Sequence, residues 1–436
     1  MAADVMIAGG GFVGLSLGLA LAQEGLEVVL ADPVPPPEAQ MPGFDGRVSA
    51  LSYASVRMLR ALGVWQGIAA EAQPIETILV TDAGLERAPS PFSLYFDHKE
   101  SGTPLERNPE KCEAVFAGLR DKQRNREHVS DSKTRERALG FIVENRILRQ
   151  ALFAAAARTP KLKCIAPAAV VALAPAAHAV AATLSNGRQL EARLAVAADG
   201  RDSPMRARMG IGVVRWAYAQ TGIVATVHHQ RPHRGTAYEH FLPAGPFAIL
   251  PLTGNRSSLV WTEREAVAAE MKTLGHAAFT AEIARRFGAH LGSITAEEAR
   301  WFYPLRFHLA RAYVRPRFAL AGDAAHGIHP IAGQGLNLGL KDAAALAEVV
   351  LDAVAIGLDP GGLAALQRYE RWRRFDGFVM AAATDGLNRL FSNDIAPLRL
   401  LRDLGLAAVD QIGPLRRLFM RHAAGEAGRL PRLMQA

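Results

Sequence analysis

The chain holds 436 residues, 50% of them hydrophobic, with a formal net charge of +8 and two cysteines, Cys112 and Cys164. That length and apolar content allow one large or two intertwined domains around a sizeable core, while two cysteines without a CxxC or a His/Cys cluster exclude a disulfide framework, point to a reducing compartment and leave no metal site to expect. The positive excess forms no basic stripe with interleaved aromatics, which excludes nucleic acid as a partner; no charged stretch leads into an apolar signal segment and no uncharged run nears the roughly 18 to 20 residues of a membrane span, so a soluble or peripheral protein is expected.

Val5 to Ala8 is a short apolar run that reads as a buried strand. Gly9, Gly11 and Gly14 follow in GxGxxG spacing, and a helical pattern opens behind them with Leu15, Leu17, Leu19, Leu21 and Ala22. The first glycine permits a tight turn, the second lets backbone approach a pyrophosphate, and the third lets the helix pack closely on the strand. The anion then meets free N–H groups at the positive end of the helix. A second strand, Glu27 to Ala31, ends at Asp32, 18 residues after Gly14 and placed to accept hydrogen bonds from a ribose hydroxyl. Dinucleotide binding is expected, without a choice between FAD and NAD. Residues 1 to 73 alternate strand and helix as a parallel α/β sheet requires, interrupted by the proline-rich loop Pro33 to Pro42.

From Ile78 to Val80 a strand enters a second region. Between about 106 and 137 charges of both signs crowd together with few large apolar residues, which predicts a solvated loop or a docking arm for a partner protein. Leu139 to Ala157 reads as helix; Ala169 to Val180, Ala181 to Leu184 and Gln189 to Val196 read as strands around the turn Ser185-Asn186-Gly187. Leu194 to Ala198 ends at Asp199-Gly200. Tyr218 to Val260 is strand-rich, 264 to 300 reads as helical, and 338 to 424 as mostly helical. Phe318 to Ala321 is another buried strand, delivering Gly322 and Asp323 at its C-terminal end, where ligands of open α/β sheets bind. An N-cap role for Asp323 is equally compatible with the two alanines behind it. Pro330, Gly333, Gln334 and Gly335 then lead into a helix from Leu336 to Val350, a glycine-rich loop aiming backbone N–H groups at something anionic or electron-rich.

Six segments carry a resemblance: DVMIAGGGFVGLSLGLAL, FDGRVSALSYASVRMLRALGVW, LGFIVENRILRQAL, AADGRDSPMR, FLPAGPFAILPL and ALAGDAAHGIHPIAGQGLNLGLKDAAALAE. With them the chain resembles the class A flavoprotein aromatic hydroxylases of the para-hydroxybenzoate hydroxylase type, and within these the ubiquinone-biosynthesis hydroxylases. The tail from Ser392 to Ala423 also fits. The resemblance covers nearly the whole chain except the polar insertion, and the AGDAAHxxHPxxGQGxNLGLxD block is its most specific part.

The resemblance implies an α/β fold: an FAD-binding Rossmann-like domain with a parallel sheet (1–73, 140–212 and 312–350), interleaved with a smaller antiparallel-sheet substrate domain (74–139 and 213–311), then a C-terminal helical region (351–436). It implies that Gly9, Gly11, Gly14 and Asp32 hold the AMP half of FAD, that Arg47 approaches the pyrophosphate or the flavin, and that Arg149 faces FAD from a helix start. Asp199-Gly200, with Ser203 and Arg206 behind, corresponds to a mid-chain DG motif serving FAD and NAD(P)H. Gly322 and Asp323 would meet the ribityl chain, and Gly333, Gln334, Gly335, Leu336 and Asn337 would line the isoalloxazine edge through their backbone. Asp32 stands where a longer Glu is more usual, and Phe12 replaces the usual proline or alanine. His326 and His329 read as packing or hydrogen-bonding elements rather than catalysts.

FAD is the implied cofactor, NADH or NADPH the reductant and O2 the co-substrate, with oxygen passed from the flavin C4a position to an electron-rich ring carbon. No side chain presents itself as a general base. Phe241, Pro243 and Phe247, with Leu242 and Leu250, are candidates for an apolar substrate wall. Core packing serves them as well. A hydrophobic aromatic small molecule, a polyprenylated phenol or benzoquinol, is the implied substrate, and other quinone-biosynthesis proteins are candidate partners. Alternatives are hydroxylation of a non-quinone aromatic, a non-oxygenating flavoprotein of the same fold, or a flavin-binding scaffold. Residues 411 to 436 carry five arginines (Arg416, Arg417, Arg421, Arg429, Arg432) against Glu426, interleaved with apolar residues, which suits a cytoplasmic enzyme resting on the inner membrane or on a partner, or a solvated terminal helix.

Overall fold

The computed structural model describes residues 2–36, 46–82, 93–97, 138–392, 425–426 and 428–435. The chain opens with β1 (Ala2–Ala8), α1 (Phe12–Gln23) and β2 (Val28–Ala31). α1 carries no charged residue and is buried from Gly14 to Ala22, because it lies against the sheet on one side and other helices on the other. Next come β3 (Val48–Ser52), α2 (Tyr53–Ala61), β4 (Gln73–Ile75), β5 (Thr77–Asp82) and β6 (Ser93–Asp97). After the polar insertion follow β7 (Gly140–Glu144), α3 (Asn145–Ala157), β8 (Leu162–Ile165), β9 (Val170–Pro175), β10 (Val180–Leu184), β11 (Gln189–Ala197) and the short α4 (Pro204–Arg208). The second half runs β12 (Val213–His229), β13 (Thr236–Leu242), β14 (Gly245–Leu252), β15 (Arg256–Arg264), α5 (Glu265–Thr273), α6 (His276–Phe287), β16 (Ile294–Ala310), β17 (Val314–Arg315), β18 (Phe318–Leu320), β19 (His326–Gly327), α7 (Gln334–Ala355) and α8 (Leu363–Phe391).

Three sheets organise these elements. The first has the order β17-β18-β11-β1-β2-β8, with the β9–β10 hairpin extending from β11. β1 is parallel to β2 and β11, β2 to β8, and β11 to β18. Its central strands are apolar and buried where they are covered on both faces, at Val5–Ala8 of β1, Val28–Ala31 of β2 and Leu194–Ala197 of β11. The second sheet, β19-β16-β12-β15-β14-β13-β5-β6, is antiparallel except where β13 pairs with β5. One face of it is sealed by α5 and α6 over Leu242, Phe247, Ile249, Trp261, Phe279 and Ile283. The third, β3-β7-β4, is a small antiparallel sheet.

Several sequence expectations change. β3 does not continue the parallel sheet; it pairs with β7, so the strand–helix alternation of the first 73 residues serves two sheets. Residues 140–144, expected as helix, are β7, whose five residues are all buried, and the helix begins only at Asn145. Residues 176–179, expected inside a strand, form the β9–β10 turn, closed by the Ala176 N–H bonding to the Ala179 carbonyl. Residues 294–300, expected as helix, open β16. The 106–137 insertion and residues 393–424 lie outside the described residues.

Candidate active site

At the first glycine turn, backbone approaches backbone more closely than any side chain allows. A Cβ on Gly9 would stand 2.3 Å from the Ala198 carbonyl oxygen, and one on Gly14 would stand 2.0 Å from the Gly9 carbonyl oxygen. Gly9 also takes a φ of +108°. Gly11 differs: no described residue lies within 4 Å of its Cβ position. Gly11 is the N-cap of α1, which has no side-chain cap, so the first N–H groups of the helix face open space. The Asp32 carboxylate accepts from the Gly10 N–H and, at 2.8 Å, from the Val34 N–H, so β2 and the turn are tied together. The Arg149 guanidinium lies 5.4 Å from the Phe12 ring centroid, beside this opening. The Arg47 carbonyl accepts from Asn145 N at 3.1 Å, which brings Arg47 and Arg149 to the same end of α3.

The second motif meets the first directly. A Cβ on Gly322 would contact Val13 at 3.0 Å, and one on Gly339 would contact Val13 at 2.7 Å. α1 and α7, more than 300 residues apart in the chain, therefore touch near their starts. Asp323, in a 3-10 turn directly after β18, presents an exposed side chain that makes no hydrogen bond among the described residues; its carbonyl accepts from His308 Nε2 at 2.7 Å. It is not the N-cap of a longer helix, since that turn spans only Gly322–Ala324.

Behind it is a buried charged node. Asp342, fully buried, accepts from the Gly322 N–H (3.0 Å), pairs with His326 Nε2 (2.6 Å) and binds Arg373 Nε (2.8 Å). Burial alone would raise the Asp342 carboxyl; His326 and Arg373 outweigh it and hold it below its ordinary value. His329 is buried too, its ring edge-on to Tyr218 at 5.0 Å, and burial pushes its pKa down to about 4.

α7 begins at Gly333, which caps the helix in the left-handed conformation (φ +61°). The next glycine, Gly335, has no described residue within 4 Å of its Cβ position, and Gln334 and Leu336 beside it are half-buried. Asn337 is different. Its Oδ1 accepts from Ser52 N (2.9 Å) and the Ser55 hydroxyl (2.8 Å), and its Nδ2 donates to the Ala50 carbonyl (2.8 Å), stapling α7 to β3 and α2. Its side chain is thus spent on the scaffold. Asp199 adjoins Gly9; its Oδ2 accepts from Met205 N at 3.1 Å, while its Oδ1 is buried without a partner among the described residues. Burial pushes this carboxyl up. Arg206 donates to the Ala324 carbonyl at 2.8 Å, linking the mid-chain DG segment to the second motif.

These features fit a flavin dinucleotide. Two uncapped helix starts each leave a space that a Cβ would fill, an exposed carboxylate stands at a strand end, and an unpartnered carboxylate oxygen lies beside the turn. An FAD binding domain family matches residues 2–374. The ubiquinone hydroxylase UbiL of Rhodospirillum rubrum is 47% identical over 423 residues, covering 97% of this chain and 90% of that protein. The 3-demethoxyubiquinol 3-hydroxylase of Escherichia coli is 35% identical over 426 residues, covering 97% and 98%. The chain belongs to the ubiquinone-biosynthesis hydroxylases. Like the rest of that family it is an FAD-dependent monooxygenase. The crystal structure of p-nitrophenol 4-monooxygenase PnpA from Pseudomonas putida superposes with a TM-score of 0.72 at 17% identity, covering 98% of this chain and all of that one, which shows a shared fold.

In this hydroxylase the expected apolar wall divides. Phe241 is buried, stacks on Phe391 of α8 at 4.1 Å and packs on Ile331, just ahead of Gly333. Pro243 is half-buried in the β13–β14 turn. Phe247 is a correction: it pairs across the hairpin with His240, so it shares the opposite sheet face and packs edge-on to Trp261 at 6.2 Å in the core under α6. Leu242 belongs to that core as well, whereas Leu250 lies on the Phe241 face with Ala237 and Ile142. Sequence reading missed the Arg373 partner of Asp342, since nothing distinguishes it from Arg368, Arg371 and Arg374 on the same helix. It also missed Ser52 and Ser55.

Proposed function

We propose that this enzyme hydroxylates an aromatic ring carbon of a polyprenylated phenol or benzoquinol in ubiquinone biosynthesis, with NADH or NADPH as reductant and O2 as co-substrate. The observation that carries the reading is the contact of Val13 with Gly322 and Gly339, which joins both FAD motifs, while Phe241 packs on Ile331 two residues before Gly333. The names of the relatives supply the pathway. FAD, when bound, supplies the acceptance of a hydride and the activation of oxygen.

The chain supplies the rest. Gly9, Gly11 and Gly14 receive the pyrophosphate at the start of α1, Asp32 fixes the turn beside the adenosine, and Arg47 and Arg149 balance negative charge. Asp323 accepts from ribityl hydroxyls. Backbone N–H groups at Gly333, Gln334, Gly335 and Leu336 stabilise negative charge on the ring edge, and Asn337 holds them in place from behind. Asp199, its carboxyl raised by burial, stands by the dinucleotide turn as a hydrogen-bonding group. Phe241, Ile331 and Phe391 exclude water.

The division into an FAD-binding part (1–73, 140–212, 312–350), a substrate part (74–139, 213–311) and a C-terminal region (351–436) is supported by β5 and β6 joining β12 to β16 in the second sheet. No described helix is long and apolar enough to cross a membrane. Of the basic tail, Arg429 bonds Glu348 at 3.1 Å and Arg432 bonds Asp352, which ties both to α7 while their side chains stay largely exposed. The test is deletion of the gene followed by mass spectrometry of the accumulated quinone precursor, with oxygen uptake by the purified enzyme on that compound. Normal ubiquinone in the deletion strain would overturn the assignment.

A further inference from the structure

The second sheet carries one acidic side chain where its neighbours are apolar. Glu239 lies on β13 between Ala237 and Phe241, on the face away from the α5–α6 core. Its cross-strand neighbours are Val80 on β5 and Ala248 on β14. Phe241, next along that face, packs on Ile331 at the approach to α7 and on Phe391, with Leu387 and Leu390 alongside. Ala237, on the other side, packs with Ile142, Leu250 and Leu252. Glu239 is half-buried, its neighbours on that face are apolar, and among the described residues it forms no hydrogen bond and no ion pair. A carboxyl so placed is costly unless something completes it. Ile331, on which its face neighbour Phe241 packs, lies in the turn that leads to Gly333 and Gly335.

We propose that Glu239 is the acid–base residue of this hydroxylase, contacting the phenolic hydroxyl of the aromatic substrate. The inference rests on the phenol reading given above. Burial pushes the Glu239 carboxyl up to about 7, with no charged group contributing, which suits a base working near neutrality. In the step, the phenolic O–H bond breaks and an O–H bond forms on Glu239. The released electron pair spreads to the ortho and para carbons and makes them nucleophilic toward the oxygen derived from O2. Once a hydroxyl group has joined the ring, Glu239 returns its proton to the original oxygen and the displaced ring C–H proton is released. Glu239 ends as it began; the oxidation is balanced by NAD(P)H, and the second oxygen atom leaves as water.

The test uses the FAD-loaded enzyme with a short-prenyl phenol and its methyl ether. By calorimetry without reductant, the wild type should bind the phenol on the order of 10- to 100-fold more tightly than the ether, and Glu239→Leu should bind the two alike. Glu239→Gln should keep full FAD content and flavin reduction by NAD(P)H while product formation falls by on the order of 100-fold, and it should lose the rise of kcat/KM between pH 6 and 8 that the wild type shows. Glu239→Asp should restore that rise in part. If Glu239→Gln hydroxylates at the wild-type rate with the same pH profile, or if Glu239→Leu still separates phenol from ether, the assignment is overturned. If the wild type hydroxylates a phenol that bears no prenyl chain and no prenylated one, the quinone-pathway reading fails, and the same variants measured on that phenol still decide the role of Glu239.

Discussion

At the scale of single residues, position explains why some substitutions should touch the cofactor and spare the fold. The Asp323 side chain is exposed and bonds nothing among the described residues, so Asp323→Ala should leave the apoprotein's urea transition unchanged while weakening FAD on the order of 10- to 100-fold in a fluorescence titration, the size of a lost charge-assisted bond. Gly335 has free space at its Cβ position. Gly335→Val should therefore fold, with an apoprotein melting temperature within about 2 °C of wild type, and yet lose hydroxylation, because its branched side chain fills the space the ring edge needs. Full activity in Gly335→Val would show that the helix start does not approach the flavin. Both residues were singled out in the sequence, Asp323 as an acid delivered at a strand end and Gly335 as a glycine of a helix-opening loop. Glu239 and Arg373 were not: an acid in a strand and an arginine in a helix look like surface charges until the fold shows what surrounds them.

At the scale of elements, the face a side chain takes follows from pairing register more than from its type. Phe241 and Phe247 read as equivalent in the sequence. The two-residue turn Pro243-Ala244 sets Leu242 opposite Gly245 and His240 opposite Phe247, and so puts the two phenylalanines on opposite faces. β3 was misplaced for a related reason: an apolar strand does not announce which sheet it joins. The α5–α6 face of the second sheet has its own signature in acid. His240 and His290 are held neutral there, burial pushing them down to about 4 and about 3. His290 stacks on Phe287 at 5.3 Å, and among the described residues its Nε2 has no partner. Their folded values lie below the unfolded 6.5, so the unfolded chain binds more protons in between. Stability should be full above about pH 6.5 and decline as pH falls toward 4. His290→Phe keeps the stacking and removes one proton site; urea midpoints measured at pH 7.5 and pH 5 should differ less in that variant than in wild type. An equal or larger difference would show that the loss arises elsewhere.

At the scale of the whole molecule, the general architecture was readable because two motifs with fixed chemistry bracket the chain, and the helices that follow them are strongly apolar. The region between them was less readable, since strand-rich segments carry no mark of their sheet order. One consequence of the Val13–Gly322–Gly339 contact lies in time rather than in space. Closing a loop of more than 300 residues costs about 5 kcal/mol in chain entropy, so that junction forms after the local hairpins and helices. On the reading proposed above FAD needs both sides of it, and so is captured only by a chain that has finished folding. The cofactor should then leave the refolding rate unchanged and slow unfolding. In stopped-flow refolding, quenching of flavin fluorescence should trail the recovery of tryptophan fluorescence, and added FAD should not shorten the latter. Faster refolding with FAD would mean that a half-formed site already holds it.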